Sequence, residues 1–242
     1  MSALGDNVLT TIANFGIWFV VFLFSLTFHE YGHALVAYMG GDRTAYHGGQ
    51  VSLDPIPHVR REPFGMVLMP LISFFLAGWM MGWASAPYDP RWARAHPRRQ
   101  ALMSLAGPGA NFVLAVLALG LLRLALALEW FVPPPSAGFA RLVSTAQDSP
   151  SLLQPLGMAL SIMLNLNVML GLFNLLPLPP LDGAGVVEGL APGPARRLYE
   201  KLSQNTALQF LGLLVAWKLF SLIQGPAFAA VLALVHPDVG YS

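Results

Sequence analysis

The sequence predicts an all-α protein that crosses a lipid bilayer several times. About four to six membrane helices are expected, one of them re-entrant, with a small β-hairpin after the first. Three observations carry this. Of 242 residues, 55% are apolar and only 10% charged, whereas a water-facing domain carries about 25% charged residues. Four apolar stretches reach the ~20 residues that a helix needs to cross the hydrocarbon. A fifth is long enough but broken by Pro and Gly. The whole chain, 1–242, reads as a single membrane-embedded domain with a core at about 14–190 and a C-terminal helical segment at about 204–236.

The first stretch, 8–40, carries no charge between Asp6 and Glu30. MSALGDN lacks the positive start of a signal peptide and the apolar run is too long for one, so a retained spanning helix is expected. Next, TAYHGGQVSL (44–53) sets two short strand-like runs around Gly48-Gly49, a pattern that fits a hairpin as well as an irregular loop.

The stretch 64–84, FGMVLMPLISFFLAGWMMGWA, is interrupted by Pro70, Gly78 and Gly82. Basic residues decide how it runs, because cytoplasmic loops collect Lys and Arg. If 64–84 dips in and returns, one side gathers Arg43, Arg60, Arg61, Arg91, Arg94, Arg98, Arg99, Arg196, Arg197 and Lys201, leaving Arg123 and Arg141 opposite. If it spans, the two sides nearly balance. Re-entry is therefore expected, with the N-terminus outside and the first helix running inward. Further spans are expected at 102–128, 156–177 and 206–224. The run 226–235, after Gly225-Pro226, is too short to cross alone.

Cysteine is absent, which excludes disulfides, thiolate nucleophiles and cysteine metal sites. A net charge of +1 without a basic tract gives no sign of a nucleic-acid partner. The chemistry sits in FHEYGH (28–33), at the inner end of the first helix. His29 and His33 are four apart and share a helix face, so both imidazoles can reach one metal ion. Glu30 can move a proton to and from a water held there. Glu30 lies twelve residues before Asp42, about 18 Å at helical rise. Ionisable groups at that depth are costly and mark function. Asp182, after the Pro177, Pro179 and Pro180 interruption, is the best third ligand; its spacing alone fits an ordinary Asp-Gly turn equally well.

HEYGH (29–33), AGPGAN (106–111) and NLLPLPPLDG (174–183), in that order, resemble the site-2 protease family of intramembrane zinc metalloproteases. The resemblance implies one Zn²⁺ held by His29, His33 and Asp182, with Glu30 as general base and acid. It also implies that Asn111 positions the substrate carbonyl or stabilises the oxyanion, although an interhelical hydrogen bond would explain Asn111 too. The substrates would be membrane-spanning segments of other proteins, captured as an added strand by residues 44–53. The enzyme would sit in the cytoplasmic membrane, its site sunk below the cytoplasmic face. AGPGAN would open its helix, with Pro108 in the first turn. The loop at 129–155 is too short for a PDZ domain, which points to a compact bacterial-type member.

Asn167 and Asn174 are seven apart and share a face expected to line the site, whereas Asn165 points elsewhere. His58 has a weaker claim as a ligand or gate, His47 weaker still, and Lys218 interrupts an apolar helix. Two other functions stay open: a catalytically silent membrane binding protein and a metal transporter. Substrate identity, trigger and oligomeric state are not legible.

Overall fold

A computed structural model describes residues 2–146, 150 and 152–241. The first helix, α1 (Ser2–Met39), has an apolar portion of 32 residues from Val8 to Met39, about 48 Å long and ample for a bilayer. It stops at Gly40 and Gly41, where Gly41 takes φ +98°. The carbonyl of Gly40 accepts from Trp92 Nε1 and Arg99 Nη1, each at 2.9 Å, so this helix end is bound before it reaches water.

Residues 44–53 contain no strand. Thr44–His47 winds into one helical turn, α2. Asp42 starts it by accepting from the backbone N–H (2.9 Å) and hydroxyl (2.6 Å) of Thr44. Gly49, at φ +74°, ends it: Gln50 N–H bonds Ala45 O and Gly49 N–H bonds Tyr46 O, the pattern of a glycine-terminated helix. The Gly-Gly pair that suggested a hairpin is thus a helix stop. The strand edge expected to receive a peptide is lost with it.

After α3 (Pro55–Arg61), capped by Asp54, a π-helical turn at Phe64–Leu68 runs into α4 (Met69–Ala77), and Gly78 at φ +76° stops it. This apolar unit is too short to count among the crossing helices. The chain then returns without regular structure. Met81 N–H bonds Ser73 Oγ at 2.8 Å and Trp83 N–H bonds Gly65 O at 3.2 Å, so residue 83 lies beside residue 65. The segment doubles back as the charge pattern required.

The short α5 (Pro90–Ala95), capped by Asp89, leads to α6 (Pro97–Ala127). Pro97, not Pro108, occupies the first turn; the helix passes through Pro108. A two-stranded antiparallel pair, β1 (Phe131–Val132) with β2 (Ser144–Thr145), closes the following loop. That loop is fastened inside the bundle. Leu142 N–H bonds Ser161 Oγ (2.9 Å), Phe139 O accepts from Asn165 Nδ2 (2.8 Å), and the Phe139 ring stacks on Trp18 at 5.6 Å. Asn165 is accordingly structural.

The remaining helices are α7 (Leu153–Asn174), α8 (Asp182–Leu190), α9 (Gly193–Gln204) and α10 (Thr206–Val235). Among the described residues, α1, α6, α7 and α10 are long and apolar enough to cross a membrane. The last continues unbroken through Pro226, so 226–235 is no separate segment. A helix in lipid keeps its backbone paired, and one missing N–H is tolerated there. Lys218 is exposed on it. Two apolar clusters hold the bundle. One joins Trp18 and Phe22 of α1 to Met66, Phe74 and Met80 of the doubled-back segment and to Ile162 of α7. The other joins α6, α7 and α10 around Leu122, Leu164 and Val235.

Candidate metal centre

One helical turn on α1 separates His29 from His33, and their rings meet edge to face at 4.7 Å between centroids. Asp182 reaches them from the far end of the chain. Prolines end α7 and make the chain turn before α8 begins, and Gly183 allows the tight packing that follows. A β-carbon on Gly183 would collide with the carbonyls of Leu175 and Leu176. The later helices seat this loop. Tyr199 donates its hydroxyl to Pro177 O at 3.1 Å, and Gly212 of α10 packs so tightly on Pro179 O that a side chain there would overlap it.

The donor atoms converge. His29 Nε2 lies 3.1 Å from Asp182 Oδ2, His33 Nε2 lies 3.2 Å from Asp182 Oδ1, and the two Nε2 atoms are 3.0 Å apart. Among the described residues this trio is the group of His, Asp and Glu side chains able to share an ion. His58 is not in it: its Nε2 faces Ser52 O at 3.0 Å. His47 is exposed.

The protons can be placed. His33 Nδ1 is 2.7 Å from Met103 O, and His29 Nδ1 is 2.6 Å from Asn111 Oδ1. Both oxygens only accept, so each Nδ1 carries a hydrogen, and each ring in its neutral form presents a lone pair on Nε2. Two lone pairs and a carboxylate then face one another in a buried space, and Asp182 Oδ2 receives no well-formed hydrogen bond despite its nearness to His29. Such a cluster of acceptors calls for a cation.

The residues fit zinc. Ligands about 2.0–2.1 Å from a tetrahedral ion stand roughly 3.3 Å from one another, and the separations here are 3.0–3.2 Å. Gly107 leaves the space open, since a β-carbon on it would overlap His33 Nε2 and lie 2.6 Å from His29 Nε2. Glu30 is 4% exposed, and its Oε2 is buried without a partner. A carboxylate oxygen left so keeps its affinity for an incoming polar group.

Residues 17–219 match peptidase family M50. The chain belongs to this family. The M50 match bears out the site-2 protease resemblance carried by HEYGH, AGPGAN and NLLPLPPLDG, and it spans His29 through Asp182. YwhC of Bacillus subtilis (strain 168), named as a candidate zinc metalloprotease, is 36% identical over 199 residues, which is 81% of this chain and 77% of its own. Rip2 of Mycobacterium tuberculosis (strain H37Rv), named in the same way, is 32% identical over 213 residues, 86% of this chain and 71% of its own. Rip2 of Mycolicibacterium smegmatis is 32% identical over 166 residues, 69% of this chain and 54% of its own. No solved structure matches the chain.

Asn111 sits differently from the substrate-facing donor that the resemblance implied. It is 0% exposed, and both ends of its amide are engaged by protein groups: Oδ1 by His29, Nδ2 by Asn167 Oδ1 at 2.7 Å. Asn174 donates to Leu170 O on its own helix, so of the two asparagines expected to line the site Asn167 approaches it and Asn174 bonds locally. Two contributors went unread in the sequence: the Met103 carbonyl and Ser25. A carbonyl leaves no mark in a sequence. Ser25, four residues before His29 and on its face, could have been found by the spacing that paired the histidines.

Proposed function

We propose that this multi-pass membrane protein of family M50 is a zinc endopeptidase that hydrolyses peptide bonds within membrane-spanning segments of other proteins. The observation that carries this is the convergence of Asp182 with His29 and His33, whose helix is long enough to cross a bilayer and carries Glu30 with its Oε2 buried and without a partner. The whole of 1–242 works as one unit in this reading, because α9 and α10 seat the loop that delivers Asp182.

His29, His33 and Asp182 would hold the ion. Zinc bound there supplies a Lewis acid for the scissile carbonyl and makes a water nucleophilic near neutral pH. Glu30 accepts a proton from the attacking water and returns it to the departing amide nitrogen. Asn111 acts on the His29 ring rather than on the substrate. A substrate helix hides its peptide bonds in its own hydrogen bonds, so it unwinds locally before Glu30 can serve it. The gathering of basic residues around Arg91–Arg99 and α9 supports a site toward the cytoplasmic side of the cytoplasmic membrane.

The test combines metal content with cleavage. The purified protein in detergent is expected to hold one zinc per chain, and co-expression with single-span membrane proteins is expected to yield products whose new termini, mapped by mass spectrometry, fall inside the spans. Glu30→Gln should keep zinc and lose about 10²–10⁴-fold in rate. Cuts confined to soluble loops would sink the intramembrane reading, and zinc flux into liposomes without any cleavage would favour a transporter.

A further inference from the structure

Behind His29 the bundle buries a chain of polar side chains from three helices: Ser25 on α1, Asn111 on α6 and Asn167 on α7, all 0% exposed. Each bond in the chain has one allowed direction. Met163 O only accepts, so the Asn167 atom 2.8 Å from it is Nδ2. The same Nδ2 donates to Ser25 Oγ at 2.9 Å, whose own hydrogen is committed to Val21 O at 2.7 Å. Asn167 Oδ1 is thereby turned toward α6, where it accepts from Asn111 Nδ2 at 2.7 Å. That leaves Asn111 Oδ1 for His29 Nδ1 at 2.6 Å.

We propose that Asn167 is a positioning residue for the metal site, transmitting the fixed polarity of the Met163 carbonyl through Asn111 to the His29 ring. It holds the proton on Nδ1, keeps Nε2 bare and aims it at Asp182. The proposal rests on reading His29 as a ligand. The two imidazoles are held by different means: His33 is fixed directly by the backbone at Met103, whereas His29 depends on two side-chain amides in series. A ligand's outer partner commonly sets its tautomer and orientation; here that partner is itself oriented by a residue one helix further out.

Buried asparagines also hold membrane helices together, so loss of stability on mutation would not separate the two roles. Zinc affinity and tautomer do. The metal-stripped full chain in detergent is titrated with Zn²⁺ against a fluorescent chelator, and ¹⁵N-histidine spectra of the zinc-free protein report the His29 tautomer, assigned by its disappearance in His29→Gln. Asn167→Leu removes the relay at similar volume and is expected to weaken zinc binding about 10–100-fold and to mix the His29 tautomers. Asn167→Asp, as a neutral acid, can accept from Asn111 and donate to Met163, and is expected to restore both readouts. Should Asn167→Leu fail to fold, Asn167→Ser, whose hydroxyl is too short to engage Asn111 and Met163 together, is expected to show the same loss.

Wild-type zinc affinity and an unmixed tautomer in Asn167→Leu or Asn167→Ser would overturn the relay. Wild type that binds no zinc would sink the metal reading instead, and the tautomer comparison would still decide whether Asn167 orients His29.

Discussion

Gly107 of α6 faces His33 of α1 so closely that no side chain fits between them. A β-carbon there would overlap His33 Nε2 and reach 2.6 Å from His29 Nε2. Two residues further, Gly109 has nothing within 4 Å of the same atom. One glycine of the GPG triplet therefore keeps the donor space clear, and the other has no such duty.

Gly107→Ala is expected to abolish zinc binding at micromolar metal while the helices persist, because the added methyl competes with the ligand nitrogens for the same volume. Gly109→Ala is expected to bind zinc like wild type. Zinc per chain by elemental analysis, alongside circular dichroism, reads both; equal zinc in Gly107→Ala and wild type would mean the ion does not sit where the lone pairs converge.

The loop that carries Asp182 is pressed from behind by α10. Gly212 touches Pro179 O so tightly that a side chain must displace one or the other, and a carbonyl flanked by prolines has little freedom to yield. Gly212→Leu is expected to weaken zinc binding about tenfold, the low end of the loss seen when groups outside the ligand set are disturbed, although position 212 bears no ligand. Zinc titration checks it, and unchanged affinity would show that the ligand loop is set by α7 and α8 alone.

Trp217 of α10 stacks on Trp79, just past the tip of the doubled-back segment, at 5.8 Å, and meets Phe173 of α7 edge to face at 6.3 Å. Aromatic pairs contribute about 0.5–1.5 kcal/mol each. Trp217→Ala is expected to lower stability by about 1–3 kcal/mol, summing the two contacts, with zinc affinity kept. Unfolding in a graded detergent titration measures the first and chelator competition the second. A zinc loss without a stability loss would place Trp217 in the metal site's support instead.

Much of this was readable from the chain because two signals are strong in it. Long apolar runs gave the crossing helices, and the i, i+4 spacing of His29 and His33 with Glu30 between them gave the core of the site. Failures came where one residue type serves two geometries. Gly48-Gly49 suits a hairpin turn or a helix stop, and the deciding contact, Asp42 with Thr44, lies before the pair and made the turn helical. Pro108 suits a first turn, but Pro97 already started that helix. The Asn111 amide could have faced substrate or ligand; only the placement of Asn167, far along the chain, determines which.

Asp42 offers the last prediction, because it joins three elements with one carboxylate. Oδ1 accepts from Thr44 N–H and hydroxyl at 2.9 and 2.6 Å, while Oδ2 accepts from Asp89 N–H at 2.8 Å. The residue is 4% exposed, and its replacement removes three hydrogen bonds to a charged acceptor. Each such bond contributes about 1.5–3 kcal/mol where its donor is buried, and less at the exposed Thr44, whose two donors can turn to water. Asp42→Ala is expected to destabilise the protein by about 3–5 kcal/mol on that basis, and Asp42→Asn by less, since one carbonyl oxygen can still start α2. Detergent-titration unfolding of the two variants beside wild type gives the comparison. Wild-type stability in Asp42→Ala would mean that the turn after α1 is held by Gly41 and the Trp92 and Arg99 bonds to Gly40, with Asp42 idle.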